Sequence, residues 1–331
     1  DLAGGAFGLD STNLSAYEAR HAALFGQVDI GIGERFDLQA GLRLERRDAD
    51  YADSLGNRFD PVDDMVGGEI AAIMRIDEGL SAFTRLARGY RAGGFNLGFA
   101  GVDFGGADGL TPAEIEFDPE YLWNLELGLK GNWAERRLTA EVSLFAARRD
   151  AQQIKVPLQL RLGDPSSFMF VTANAERGKD SGLEAQLDWQ ATDRLGVAVA
   201  AGLLRTEIER FPLLPAIEGR SQAHAPEYSL TTTLRYQWDR GWWTRLDLVA
   251  RDGFYYDYSH DERAESYVVP TLRLGRDWAD WSVALWIRNL TDEEYTTRGF
   301  FFGNEPPDFA NRLYTRLGDP RQIGLTVRYR R

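Results

Sequence analysis

Hydrophobic and polar residues alternate with period two along most of this chain. From Trp281 to Thr291, Trp281, Val283, Leu285 and Ile287 share one face, and Ser282, Ala284, Trp286 and Arg288 share the other. From Gln322 to Arg330, Ile323, Leu325, Val327 and Tyr329 oppose Gln322, Gly324, Thr326 and Arg328. Alternation of this kind marks a strand with one face against an apolar phase. The unit recurs upstream: Tyr17 to Ile32, Phe36 to Asp50, Met65 to Asp77, Leu80 to Arg91, Tyr121 to Trp133, and Leu138 onward. It continues in a strand ending at Trp189, then Leu195 to Ile208, Glu227 to Trp238, Trp242 to Tyr256 and Tyr267 to Arg276. With the closing pair, about thirteen strands are predicted.

The connections between these strands alternate short and long. Gly33-Glu34-Arg35, Glu78-Gly79, Ala134 to Arg136, Thr192-Asp193 and Asp239-Arg240-Gly241 are tight turns. Polar, Gly-, Asp- or Pro-rich segments such as 92–119, 209–226 and 292–317 are long loops. If neighbouring strands pair antiparallel, every short turn lies at one rim and every long loop at the other. That is an all-β, antiparallel up-and-down meander with one elaborated edge, the pattern of a transmembrane β-barrel. Trp133, Trp189, Trp238, Trp242 and Trp281 all fall near short turns, as expected of an interfacial girdle on the periplasmic side.

Composition sharpens this picture. The chain of 331 residues is 44% hydrophobic and 12% aromatic, with 34 glycines and no cysteine. The absence of cysteine excludes a disulfide scaffold and thiolate metal ligands. Mean hydropathy is −0.38, and no apolar run of about eighteen residues marks a membrane helix. A barrel escapes that criterion because half of each strand faces a polar lumen. The formal net charge of −13, with no offsetting basic stripe, argues against nucleic acid as a partner.

Four patches resemble the TonB-dependent receptors of Gram-negative outer membranes. They are RGYRAGGFN (Arg88–Asn96), WNLELGLKGN (Trp123–Asn132) followed by Leu144-Phe145, GLEAQLDW (Gly182–Trp189) after Asn174-Ala175, and NLTDEEY (Asn289–Tyr295) closed by GDPRQIGLTVRY (Gly318–Tyr329). Each is weakly specific alone; their order and spacing carry the resemblance. It implies part of a barrel of about 22 strands, filled by an N-terminal plug and importing a scarce nutrient (siderophore, cobalamin or glycan) with energy from the inner membrane. The implied partners are outer-membrane lipid, a small-molecule nutrient and the TonB complex, the last reached through a plug region that this sequence lacks. A second departure is the C-terminal Tyr329-Arg330-Arg331 where the family usually ends in an aromatic residue.

Parity adds an expectation. Strand one enters a short turn and strand thirteen leaves a long loop, so both descend. An odd count suits an incomplete, open sheet, with residues 1–16 an extracellular loop remnant and 17–331 the C-terminal part of the barrel. A passive or structural barrel without energy coupling is the alternative, and a soluble all-β binding protein such as a propeller is a third reading.

The candidate ligand residues are inward or rim positions: Arg88, Arg91, Glu126, Lys130, Glu184, Arg245, Asp247, Arg251 and Arg288. Such charges can line a substrate path or simply hydrogen-bond a plug and lumen water. The glycines of RGYRAGGFN fit either close approach to a ligand or a structural bend. Asp60, Asp63 and Asp64, and Asp103 with Asp108, lack the spacing of a calcium loop, so a solvated loop is expected and no metal or cofactor. The aromatic tracts Phe254 to Tyr258 and Phe300 to Phe302 suit a ring-bearing ligand or loop packing. His21, His224 and His260 stand far apart with no nucleophile elbow, so no enzyme is expected.

Overall fold

The computed structural model describes residues 14–96, 112–135, 137–159, 168–303 and 305–330. Its strands are β1 (Ser15–Ile32), β2 (Phe36–Asp53), β3 (Arg58–Phe59), β4 (Val62–Arg75), β5 (Leu80–Arg91), β6 (Gly94–Phe95), β7 (Glu116–Phe117), β8 (Glu120–Trp133), β9 (Leu138–Gln159) and β10 (Phe168–Gln190). There follow β11 (Leu195–Arg210), β12 (Tyr228–Gln237), β13 (Trp242–Arg251), β14 (Phe254–Tyr255), β15 (Arg263–Ala264), β16 (Tyr267–Trp278), β17 (Trp281–Arg288), β18 (Thr296–Phe302), β19 (Arg312–Leu317) and β20 (Gln322–Tyr329).

The long strands form one sheet in the order β1-β2-β4-β5-β8-β9-β10-β11-β12-β13-β16-β17-β20. Every member is antiparallel to its neighbours. The meander is the expected one, and it is open: β1 and β20 are its edges, with no further strand on either among the described residues. The Gly33 turn between β1 and β2 has φ 62°, a left-handed conformation that glycine adopts without cost. At the turn before β9 the same region is taken by Ala134 and Glu135.

Register aligns the apolar residues into one continuous face. Leu86 pairs with Leu125, Leu127 with Leu144, Leu144 with Leu183 and Leu183 with Leu203. Further along, Leu234 pairs with Leu246, Leu246 with Leu272 and Leu285 with Leu325. These side chains are not covered by protein: Leu127 is 50% and Leu325 64% exposed. An uncovered apolar face of that extent is stable only against lipid. The opposite face carries Arg85, Glu126, Glu184, Arg245, Asp247 and Arg273, and lines the lumen. There, flat rings lie over glycines on the paired strand, Phe83 on Gly128 and Phe145 on Gly182.

Trp133, Trp189, Trp238, Trp242, Trp278 and Trp281 are exposed at the short-turn rim. On β8, Trp123 and Trp133 lie on the same outward face, ten positions apart. At ~3.3 Å per residue and ~40° of tilt that step is about 25 Å, the height of a barrel's apolar band.

Above this band β9 and β10 run on into the loop region. By plain alternation Ile154 would share the outward face of Leu144. The left-handed backbone at Ala151 (φ 53°) breaks the alternation, and Ile154 is only 1% exposed. It packs with Val156, Ala175, Ile208, Phe211 and Ile217 in a small core inside the loop cap. Beyond lipid, the apolar side chains turn inward, as water requires.

Candidate functional site

The loops at the long-loop rim are fastened to the wall by buried polar hubs. Arg47 on β2 is 3% exposed and pairs with Asp63 on β4 at 2.6 Å. Its guanidinium also donates to the Gly93 carbonyl at 2.8 Å and to the Tyr17 hydroxyl at 3.1 Å. Asn96 accepts from the Thr172 backbone N–H at 2.8 Å and donates to the Thr172 and Glu114 carbonyls. Gln153 donates to the Ala92 carbonyl at 2.8 Å. RGYRAGGFN is therefore a bend stitched to β2, β9 and β10, and its adjacent glycines Gly93 and Gly94 serve that path. Gly93 lies against the Phe117 carbonyl, where a side chain has no room.

Arg149 on β9 bridges Glu120 at 2.6 Å and Asp180 at 2.9 Å, joining β8 to β10. Tyr255 lies between the guanidinium groups of Arg220, 3.8 Å from its ring centre, and Arg263, 4.7 Å away. Phe254, Tyr256, Ala264 and Phe301 form a second buried cluster. The aromatic tracts are thus committed largely to loop packing. A cleft of about 510 Å³ opens beside Tyr17, Tyr51 and Phe59. Another, of about 620 Å³, lies among Glu116, Asp118, Asn174 and Leu213.

His260 stacks on Phe301 at 3.7 Å and hydrogen-bonds the Asp257 carboxylate at 2.8 Å. Its other ring nitrogen meets the Asn311 side-chain nitrogen at 2.9 Å, fixing it as the acceptor there. Burial pushes the Asp257 carboxyl up, but the bonds from the His260 ring and the Ser259 backbone N–H outweigh it and hold it below the usual range. His224, packed on Phe254 at 5.2 Å, is pushed down by burial and by Arg298. No cluster suited to a metal ion occurs among the described residues. Asp63 and Asp64 pair with Arg47 and Arg46 instead, while Asp103 and Asp108 lie outside the described residues.

The sequence candidates are dispersed on the wall. Glu126 stands opposite Arg85 in the lumen. Lys130 pairs with Glu141 at 3.1 Å. Glu184 lies between Ser143 and Gly202, and Arg251 between Ser229 and Tyr267. Arg91 ends β5 opposite Glu120, and Arg288 stacks on the Trp286 ring at 4.8 Å. Arg245 and Asp247 are in contact at 2.7 Å, and Asp247 also holds Arg273. Arg88 corrects the lumen or rim placement: it is paired with Trp123 on the outward, lipid-side face. Its neighbour along the strand but one, Tyr90, instead reaches the lumen-side Arg43 and Glu45. Sequence reasoning missed Arg47, Asn96, Glu120, Arg149 and Gln153, whose partners lie far away in the chain.

A meander with an apolar outer face, a charged inner face, a tryptophan rim and a folded loop cap is the wall of an outer-membrane β-barrel. The chain belongs to the TonB dependent receptor-like β-barrel family, whose model matches residues 2–290. It is 22% identical over 331 residues to the pesticin receptor of Yersinia pestis, spanning 97% of this chain and 45% of that protein. The ferric yersiniabactin uptake receptor of Yersinia pestis superposes with a TM-score of 0.73 at 21% identity, over 96% of this chain and 46% of that one. A siderophore receptor of Acinetobacter baumannii gives 0.73 at 18% identity, over 95% and 44%. The likeness to these structures is one of fold, and the chain spans under half their length. The family is one of transport receptors rather than enzymes.

Proposed function

We propose that this chain is the barrel portion of an active-transport receptor for a scarce nutrient of the siderophore type. The observation that carries the reading is a continuous charged lumen wall, on a sheet of this family, beneath a cap of loops that leaves clefts open beside aromatic and carboxylate side chains. Of the solved structures that share its fold, one is named a siderophore receptor and another a ferric yersiniabactin uptake receptor. In this reading a plug occupies the lumen and couples to TonB. Glu126, Lys130, Glu184, Arg245, Asp247, Arg251 and Arg288 face that plug or the passing ligand, and Arg91 stands at the rim. Arg88 is outside the path.

The test is uptake of radiolabelled ferric siderophores, ferric yersiniabactin first, by cells whose only such receptor carries this barrel. Accumulation that stops when TonB is deleted is the expected result. Accumulation that persists without TonB would mark a passive barrel, and failure to take up any ferric chelate would overturn the siderophore class.

A further inference from the structure

The outward face holds a second feature that the transport reading leaves unused. At the height of Trp123, about 25 Å above the Trp133 rim, the apolar face ends in a row of cations. Arg88 is opposite Trp123, Trp123 is opposite Arg148, and Arg148 is opposite Lys179. Arg205 lies one strand further on, opposite Ser181. Together with Leu86, Trp123, Leu125 and Ala146 below, Arg148, Lys179 and Arg205 enclose a groove of about 460 Å³. Its floor is continuous with the lipid-facing leucines.

We propose that this groove is a binding site for a phosphate-bearing lipid of the outer leaflet, its phosphate among Arg148, Lys179 and Arg205 and an acyl chain along Trp123 and Leu125, with Arg88 at the far end of the same row. Outward-facing cations at this height stand at the headgroup layer, where basic side chains attract anionic lipid. The cations keep donors free for such a group. Arg88 caps the Val66 carbonyl and rests on the Tyr121 ring at 4.2 Å, with no carboxylate partner among the described residues. Arg205 is exposed and makes no ion pair among the described residues. Arg148 and Lys179 are paired on one side with Asp150 and Glu209, and Glu207 closes the groove beyond Lys179. Asp150 and Glu209 hold Arg148 and Lys179 in place, and the unpaired Arg205 keeps its guanidinium free for the phosphate. The inference depends on the barrel's orientation in the membrane and not on which nutrient passes.

The experiment uses the receptor extracted from outer membranes in mild detergent and native mass spectrometry with a phosphorylated glycolipid, its dephosphorylated form and inorganic phosphate as separate probes. The expected result is retention of the phosphorylated lipid, little retention of the dephosphorylated lipid, and no displacement by inorganic phosphate at equal concentration. Arg205→Gln should weaken retention about fivefold at low salt, and Arg205→Lys should restore most of it. Arg276→Gln, outward at the opposite rim beside Trp242 and Trp278, should leave retention unchanged. Heat-modifiable electrophoretic mobility reports that each variant is folded. Equal retention of both lipid forms, displacement by inorganic phosphate, or an Arg205→Gln variant that retains lipid like the parent would each overturn the proposal.

Discussion

At the scale of single residues, environment decides what each side chain is worth. Leu127 and Glu126 are neighbours in sequence, yet one meets lipid and the other the lumen. In the whole receptor carrying this barrel, Leu127→Arg is expected to cost about 2–4 kcal/mol in refolding into vesicles, near the centre of the apolar band. Glu126→Gln, on the watery side, should cost under about 0.5 kcal/mol. Arg47 and Asp63 are a different case, a buried pair that also holds the Gly93 carbonyl. Removing one partner strands the other charge, so Arg47→Ala should cost about 3–5 kcal/mol locally. Amide hydrogen exchange over residues 88–96 should then rise while β12 and β13 stay protected.

Acid should loosen the cap in two stages. Burial and Arg298 hold His224 below the ordinary imidazole value of about 6.5. As the pH falls through 6.5 the unfolded loop gains a proton that the folded one resists, so stability declines from there downward. Asp257 is held below 3.8, so its contribution is intact above that pH and is lost as the pH falls from there through its lower folded value. Limited proteolysis of residues 252–266 between pH 7.5 and 5.5 should show the first stage. His224→Gln should remove it.

At the scale of elements, the alternation made the membrane part readable and stopped where the membrane stops. Strand β5 lies at the predicted Leu80–Arg91, because both ends meet a turn and its apolar side chains have one phase to face. β9 and β10 run further, to Gln159 and from Phe168, because beyond Ala151 the apolar residues obey a second, inward-facing core. Period two read along the sequence carries no sign of that switch. The β14–β15 and β18–β19 hairpins hid inside segments read as loop or strand end, being too short or too aromatic-rich to show alternation. The buried hubs were illegible for another reason. Asn96 and Thr172 are 76 positions apart, and nothing local marks either one.

Two expectations belong to this scale. The left-handed backbone of Ala151 is strained for a residue with a side chain, so Ala151→Gly should stabilise the cap by about 0.5–1 kcal/mol. Protease added to intact cells should cut within 292–317 and spare the turns at Gly33 and Asp239. Cuts confined to the short turns would invert the topology.

At the scale of the whole molecule, the chain's net charge of −13 is unevenly spread. On the lumen face of β12, β13 and β16, Arg235, Arg245 and Arg273 stand directly opposite one another, with Asp247 shared between the last two. Acidic residues are gathered instead near the loop rim, at Asp60, Asp63, Glu116 and Asp118. The open edges of β1 and β20 have backbone groups that hydrocarbon cannot satisfy. This chain alone, refolded into vesicles, is expected to give no monomeric species with heat-modifiable mobility.

The central claim is that one face of this sheet meets lipid and the other a water-filled lumen. The chain has no cysteine, so single cysteines placed in turn from Trp123 to Trp133 on β8, in the receptor carrying this barrel, report their surroundings cleanly. Spin labels at these sites, probed with lipid-soluble oxygen and a water-soluble nickel chelate, give the test. Oxygen accessibility is expected to peak at positions 125, 127 and 129 and chelate accessibility at 124, 126 and 128, with period two. Uniform accessibility along the strand, or the same alternation with the two probes exchanged, would contradict the account.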